Sequence, residues 1–135
     1  MKIDAAGLLV LSRDECMALL GSTPIGRIVY TDRALPAVQP VNFLLDSTAI
    51  VIRTGVGSKL AAAAGNAIVA FEADEFDAET RTGWSVTAVG HARAVDDPGE
   101  IERLSLLPLN PWAPGGREHF IVVSPEQISG RRIRR

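Results

Sequence analysis

A mainly β fold with small α-helices, built on an antiparallel barrel of six or seven strands, is what this 135-residue chain predicts from three observations. Runs rich in β-branched and aromatic residues follow one another at short intervals. The connections between the first three runs, Asp32-Arg33-Ala34-Leu35-Pro36 and Asp46-Ser47-Thr48, have the length of hairpin turns. The runs are too closely spaced for repeated βαβ units. Closing or nearly closing the sheet removes the edges that an open antiparallel sheet would expose.

The elements follow in order. Ser12-Arg13-Asp14-Glu15 fits a capping box, with Ser12 as N-cap and Glu15 at the third helical position, and Gly21 stops a helix predicted over 13–20. After the break at Pro24, strands are predicted over 27–31, 37–45, 49–54 and 67–72, then a long one over 84–95. Residues 61–64 read as one or two helical turns stopped by Gly65. Asp97-Pro98-Gly99-Glu100 supplies an N-cap, a first-turn proline and an acidic first turn for a third small helix, ending near Leu106. Strands over 119–123 and 128–133 finish the chain. The segment 107–117 holds three prolines, two glycines and Trp112, and is too long for a simple connection in so small a domain. Such a loop is usually functional or covers a partner.

Composition narrows the class. The chain is long enough for one domain, 1–135, with its own core, and needs neither disulfides nor a structural metal. A formal charge of -2 offers no case for nucleic acid, and the C-terminal arginines Arg131, Arg132, Arg134 and Arg135 read as a solvated tail. The single cysteine, Cys16, fits a reducing compartment and a packed position in the first helix. Asp4 and Arg13-Asp14-Glu15 bracket the apolar residues 8–11, so neither a signal peptide nor a membrane span is predicted, and the expected location is the cytoplasm.

The chemistry concentrates in Arg53-Thr54-Gly55-Val56-Gly57-Ser58-Lys59, which follows the apolar run 49–52. A strand ending in Arg-Thr, a loop with two glycines and Ser-Lys opening a helix bring together cations, hydroxyls and backbone amides suited to a phosphate. The spacing is not a Walker A motif, because only Val56 separates the two glycines, and the third glycine of a dinucleotide fingerprint is missing. A solvated strand-to-helix turn is the bland alternative. Trp84 and Trp112 add flat apolar surfaces suited to a conjugated ring. The two histidines, His91 and His119, fall in predicted strands with no adjacent nucleophile, and neither Ser85 nor Ser129 lies in a Gly-x-Ser-x-Gly elbow. The carboxylates between Glu72 and Asp77 read as a strand end and turn and lack the pattern of a calcium loop, so no metal site is expected.

Several short motifs, in this order and spacing, resemble the pyridoxamine 5'-phosphate oxidase-like proteins. They are Gly26-Arg27-Ile28, Pro40-Val41-Asn42-Phe43, Ile52-Arg53-Thr54-Gly55 with Ser58-Lys59-Leu60, Val69-Ala70-Phe71-Glu72-Ala73-Asp74, and Gly83-Trp84-Ser85-Val86 with Gly90-His91-Ala92. The resemblance runs from about Leu11 to Ile133 and is greatest to the actinobacterial flavin- and deazaflavin-binding branch, which is also similar to nitroimidazole-resistance proteins. It implies a split β-barrel homodimer with two FMN sites between the subunits. Arg53, Thr54, Ser58 and Lys59 would hold the flavin phosphate, and the backbone of Pro40, Val41 and Asn42 would border the ring. Trp84, Ser85 and Trp112 would come from the other subunit.

The resemblance therefore implies an FMN-dependent oxidoreductase acting on a small molecule. Its alternatives are an F420-dependent reductase and a non-catalytic flavin- or haem-binding protein, the last needing His91 or His119 as ligand. Where some nitroimidazole-resistance relatives carry a strand histidine this chain has Arg53-Thr54, and it lacks the Arg/His set of a true pyridoxamine phosphate oxidase. Neither a histidine-dependent mechanism nor vitamin B6 oxidation is expected.

Overall fold

The computed structural model describes residues 2–55, 60, 65–110, 112 and 119–134. In chain order they form β1 (Lys2–Ile3), β2 (Leu9–Val10), α1 (Arg13–Leu20), β3 (Ile25–Asp32), β4 (Leu35–Asp46), β5 (Ala49–Thr54), β6 (Ile68–Asp77), β7 (Thr82–Ala94), α2 (Pro98–Ser105), β8 (His119–Val123) and β9 (Gln127–Ile133). The strand order β7-β6-β3-β4-β5-β8 returns to β7, closing an antiparallel barrel of six strands. β9, β2 and β1 extend the sheet beyond β7.

The long strand β7 divides its outer edge between two neighbours. It pairs with β9 from Gly83↔Ile133 to Val89↔Gln127, then with β8 from Ala92↔Val123 to Ala94↔Ile121. Gly90 sits at the changeover, where a Cβ would overlap the Ser124 carbonyl as the chain crosses from β8 to β9. The Ser124 N–H donates to the His91 carbonyl at 2.9 Å and ties that crossing down.

Alternation along each strand builds two cores. Ile28, Phe43, Ile52, Phe71, Val86 and Ile121 point into the barrel, together with Leu11, Cys16 and Leu20 from the α1 region. Val51, Phe120 and Val122 point outward from β5 and β8 and meet Val95, Leu104 and Leu109, so α2 covers that part of the outer wall. Phe43 and Phe71 meet edge to face across the barrel, their centroids 4.7 Å apart.

Both foreseen caps form. Ser12 Oγ accepts from the Glu15 N–H at 3.2 Å while Glu15 Oε1 accepts from the Ser12 N–H at 2.9 Å, and Asp97 caps α2 through the Glu100 N–H. Other expectations need correcting. β6 runs to Asp77 instead of ending at Glu72, because its carboxylates pair across the ladder with β7 instead of turning. β1 and β2 are additional strands, too short for a period-two pattern to announce them. The β3–β4 connection is tighter than foreseen: Asp32 pairs with Leu35, leaving Arg33 and Ala34 at φ 53° and 67°, the left-handed pair of a two-residue hairpin turn. The turns predicted over 61–64 lie outside the described residues.

Candidate functional site

Arg53 is the last outward-facing residue of β5. Its cross-strand partner is Phe120, whose ring lies 5.4 Å below the guanidinium, and its Nη1 donates to the Leu109 carbonyl at 3.1 Å. Arg53, Ile101, Ser105 and Phe120 line a cavity of about 250 Å³ between β5 and α2. A cation at the wall of a cavity is a fitting donor for an anionic group.

One step along the β4–β5 ladder beyond Phe43↔Ile52, Asn42 lies beside Arg53. Asn42 Oδ1 accepts from the Trp112 N–H at 2.9 Å. Residues 109 and 112 are thus pinned across the outer wall by Arg53 and Asn42, two of the residues that the resemblance places at a cofactor. Trp112 is 72% exposed there, its indole left toward solvent. Pro40 is also exposed, while Val41 points into the barrel.

The other expected site residues are distributed differently. Thr54 alternates with Arg53 and is buried, so its hydroxyl does not share Arg53's face. Ser58 and Lys59 lie outside the described residues. Trp84 and Ser85 stand on β7, three strands from β4 in either direction around the ring. The Trp84 indole is buried in the barrel core, whereas Ser85 faces outward. Within one chain the structure brings together Pro40, Asn42, Arg53 and Trp112, and leaves Trp84 and Ser85 across the barrel.

A charged cluster that sequence reasoning read only as strand end and turn occupies the outer wall next to Pro40. Arg27, paired with Pro40 on one side and Glu72 on the other, places Nη1 3.2 Å from Glu72 Oε1 and 3.0 Å from Asp74 Oδ1. Burial, then the hydrogen bond and charge of Asp74, push the Glu72 carboxyl up to about 7. Asp74 is held below its ordinary value, first by its hydrogen bond from Glu72 and also by Arg27. Glu72 therefore exchanges a proton near neutral pH while Asp74 stays ionised. The i, i+2 spacing of Glu72 and Asp74 in a strand, opposite Arg27, was the signal that would have grouped them.

His91 and His119 both lie in strands, as expected. His91 Nδ1 is 2.7 Å from Glu126 Oε1 at an exposed position. Cys16 is buried, and that burial raises its thiol above the ordinary range. A charge-free cavity of about 500 Å³ opens at the C-terminal end of α1, between Pro24, Leu44, Leu45 and Leu107. It is larger than the Arg53 cavity, but its lining among the described residues carries no cation, whereas Arg53 stands at the wall of the smaller one.

Residues 12–132 match the family model described as pyridoxamine 5'-phosphate oxidase. This chain belongs to that family. It is 39% identical to the uncharacterized protein Rv0080 of Mycobacterium tuberculosis, over 96% of this chain and 88% of that one. Among solved structures it resembles the FAD binding protein of Mycobacterium smegmatis, at 38% identity and TM-score 0.73, covering 94% of this chain and 99% of that one. A Corynebacterium glutamicum protein assigned to the pyridoxamine 5'-phosphate oxidases gives 33% identity and TM-score 0.81, with 93% and 92% covered. The pyridoxamine 5'-phosphate oxidase-like fold thus accounts for the closed barrel, and flavin-binding proteins are among its neighbours. No helix among the described residues is long and apolar enough to cross a membrane.

Proposed function

We propose that this protein is a flavin-dependent oxidoreductase that holds its cofactor by the phosphate at the end of β5. The observation that carries the reading is the placement of Arg53 on a cavity wall, beside Asn42 and Trp112, in a chain of this family. The family's flavin-binding neighbours support a flavin, and FMN is our first choice over F420.

Arg53 binds the phosphate through charge-assisted hydrogen bonds, with Ser58 and Lys59 as its partners from the following loop. Thr54 is buried at the strand end, on the barrel side of β5. Pro40, Val41 and Asn42 border the ring through their backbone, and Trp112 covers it from the loop pinned to Asn42. When bound, the flavin supplies the hydride or electron transfer that none of these side chains can perform. Two copies of the chain pair, and Ser85 then reaches the site from the second copy. Trp84, with its indole in the core, holds the strand that carries Ser85.

Fluorescence titration with FMN, FAD and F420 tests the reading. Saturable binding should weaken by about tenfold or more in Arg53→Ala and in Lys59→Ala. Unchanged affinity in both variants would move the phosphate elsewhere, and no binding of any of the three would remove the redox function. Tight F420 binding with no FMN retained would select the deazaflavin.

A further inference from the structure

Strand β4 outruns its neighbour. β3 starts at Ile25, opposite Asn42, whereas β4 continues to Asp46. Pro24 has no N–H with which to extend the ladder, and only its carbonyl reaches across, accepting from the Phe43 N–H at 3.3 Å. Backbone direction alternates along an antiparallel strand, so the Leu45 N–H and C=O point to the same edge as the Phe43 N–H. Among the described residues neither group meets a main-chain partner on that edge.

The gap beside Leu45 is the cavity of about 500 Å³. Its floor is Phe43, Leu44 and Leu45, and its sides are residues 20–24 at the end of α1 and Leu107-Pro108. Among the described residues the lining carries no charge, and its polar side chains are the hydroxyls of Ser22 and Thr23. Ser22 Oγ already donates to the Leu19 carbonyl at 2.7 Å. Asp46, the next residue of β4 on the face of Leu44, is turned to Arg103 at 3.0 Å and stays out of the lining. A space of this size fits a small organic molecule. A charged one would lose hydration there without gaining a counter-ion.

The cavity adjoins the proposed cofactor site. Leu44 and Asn42 share the outward face of β4, roughly 7 Å apart along the strand. Leu107 and Pro108 lead directly into Leu109, whose carbonyl Arg53 holds, and the same segment continues to Trp112, held by Asn42. We infer that this cavity is the substrate subsite, and that it takes a small, uncharged, mainly apolar molecule oriented by the N–H and C=O of Leu45. The substrate role rests on the proposed flavin function, whereas the binding of such a molecule does not depend on it. Recognition is divided between two cavities: Arg53 selects an anion, and the Leu45 edge selects an uncharged group that donates or accepts a hydrogen bond.

Fluorescence titration of the full chain with N-phenyl-1-naphthylamine, with and without FMN, tests this. The probe should bind saturably in both cases. Diphenylamine should displace it, and diphenylamine sulfonate should do so about tenfold or more less effectively. Thr23→Trp, which fills the cavity, and Leu107→Asp, which sets an uncompensated charge at its side, should each weaken the probe about tenfold or more at unchanged FMN affinity. Thr23→Trp with a wild-type melting temperature keeps the test decisive should Leu107→Asp fail to fold. Saturating the FMN-loaded protein with probe should also change the flavin emission. Equal displacement by the two competitors, or probe binding unaltered in Thr23→Trp, would overturn the inference and leave the flavin reading standing. Flavin emission indifferent to the bound probe would remove the substrate role. Probe binding in a chain that takes up no flavin would remove the flavin reading and the substrate role with it.

Discussion

At the scale of single residues, position along a strand decides what each ionisable side chain does. Arg53 and Thr54 are neighbours in sequence, yet alternation sends one to a cavity with Phe120 and buries the other. Glu72 is governed by the same geometry, since only its outward parity brings it to Arg27 and Asp74. Its folded-state pKa, raised from the ordinary 4.5 to about 7, has a definite consequence for stability. Folding takes up a proton between those two values, so Glu72's contribution is complete below pH 4.5 and is lost as pH rises through about 7. Asp74, lowered from 3.8, stays ionised across this window and adds no slope there. Glu72→Gln, which remains neutral, should therefore gain on the wild type by on the order of 1–2 kcal/mol between pH 5 and pH 8. Urea midpoints at one fixed protein concentration would show it, and a pH-independent difference would contradict the raised Glu72 pKa.

At the scale of elements, the helices owe their limits to their caps. α1 has eight residues, below the length at which a helix persists alone, so its start depends on Ser12 and Glu15 and its position on Cys16 and Leu20. Ser12→Ala removes the acceptor for the Glu15 N–H and should cost about 1 kcal/mol, read as a lower urea midpoint. Flavin affinity should be unchanged in that variant, because α1 lies away from the Arg53 cavity. α2 was equally legible, from Asp97 and Pro98, whereas β1 and β2 hold two residues each and depend on pairing with one another and with β9.

At the scale of the molecule, closure depends on the place where β7 exchanges one partner for another. Gly90 permits the β8–β9 crossing to touch the β7 backbone, and no side chain can occupy that space without displacing main chain. Gly90→Ala should destabilise the protein by roughly 2–4 kcal/mol, enough to lower its melting temperature markedly, because the obstruction is a carbonyl and not a flexible side chain. A near-wild-type melting temperature would show that the crossing can shift. The same closure sets β4 and β7 on opposite sides of the ring, so within one chain Ser85 stays apart from Asn42 and Arg53.

The sequence by itself determined the local quantities: two capped helices, most of the strand runs and the hairpin connections, each set by contacts within a few residues. Tertiary structure alone decided what depends on register between distant strands. It joined Trp112 to Asn42 and Leu109 to Arg53, buried Trp84, extended β6 to Asp77 and assembled Arg27, Glu72 and Asp74 into one cluster. Local propensity carries no information about which strands become neighbours, and a strand's outer face acquires its chemistry only when the ladder places other strands beside it.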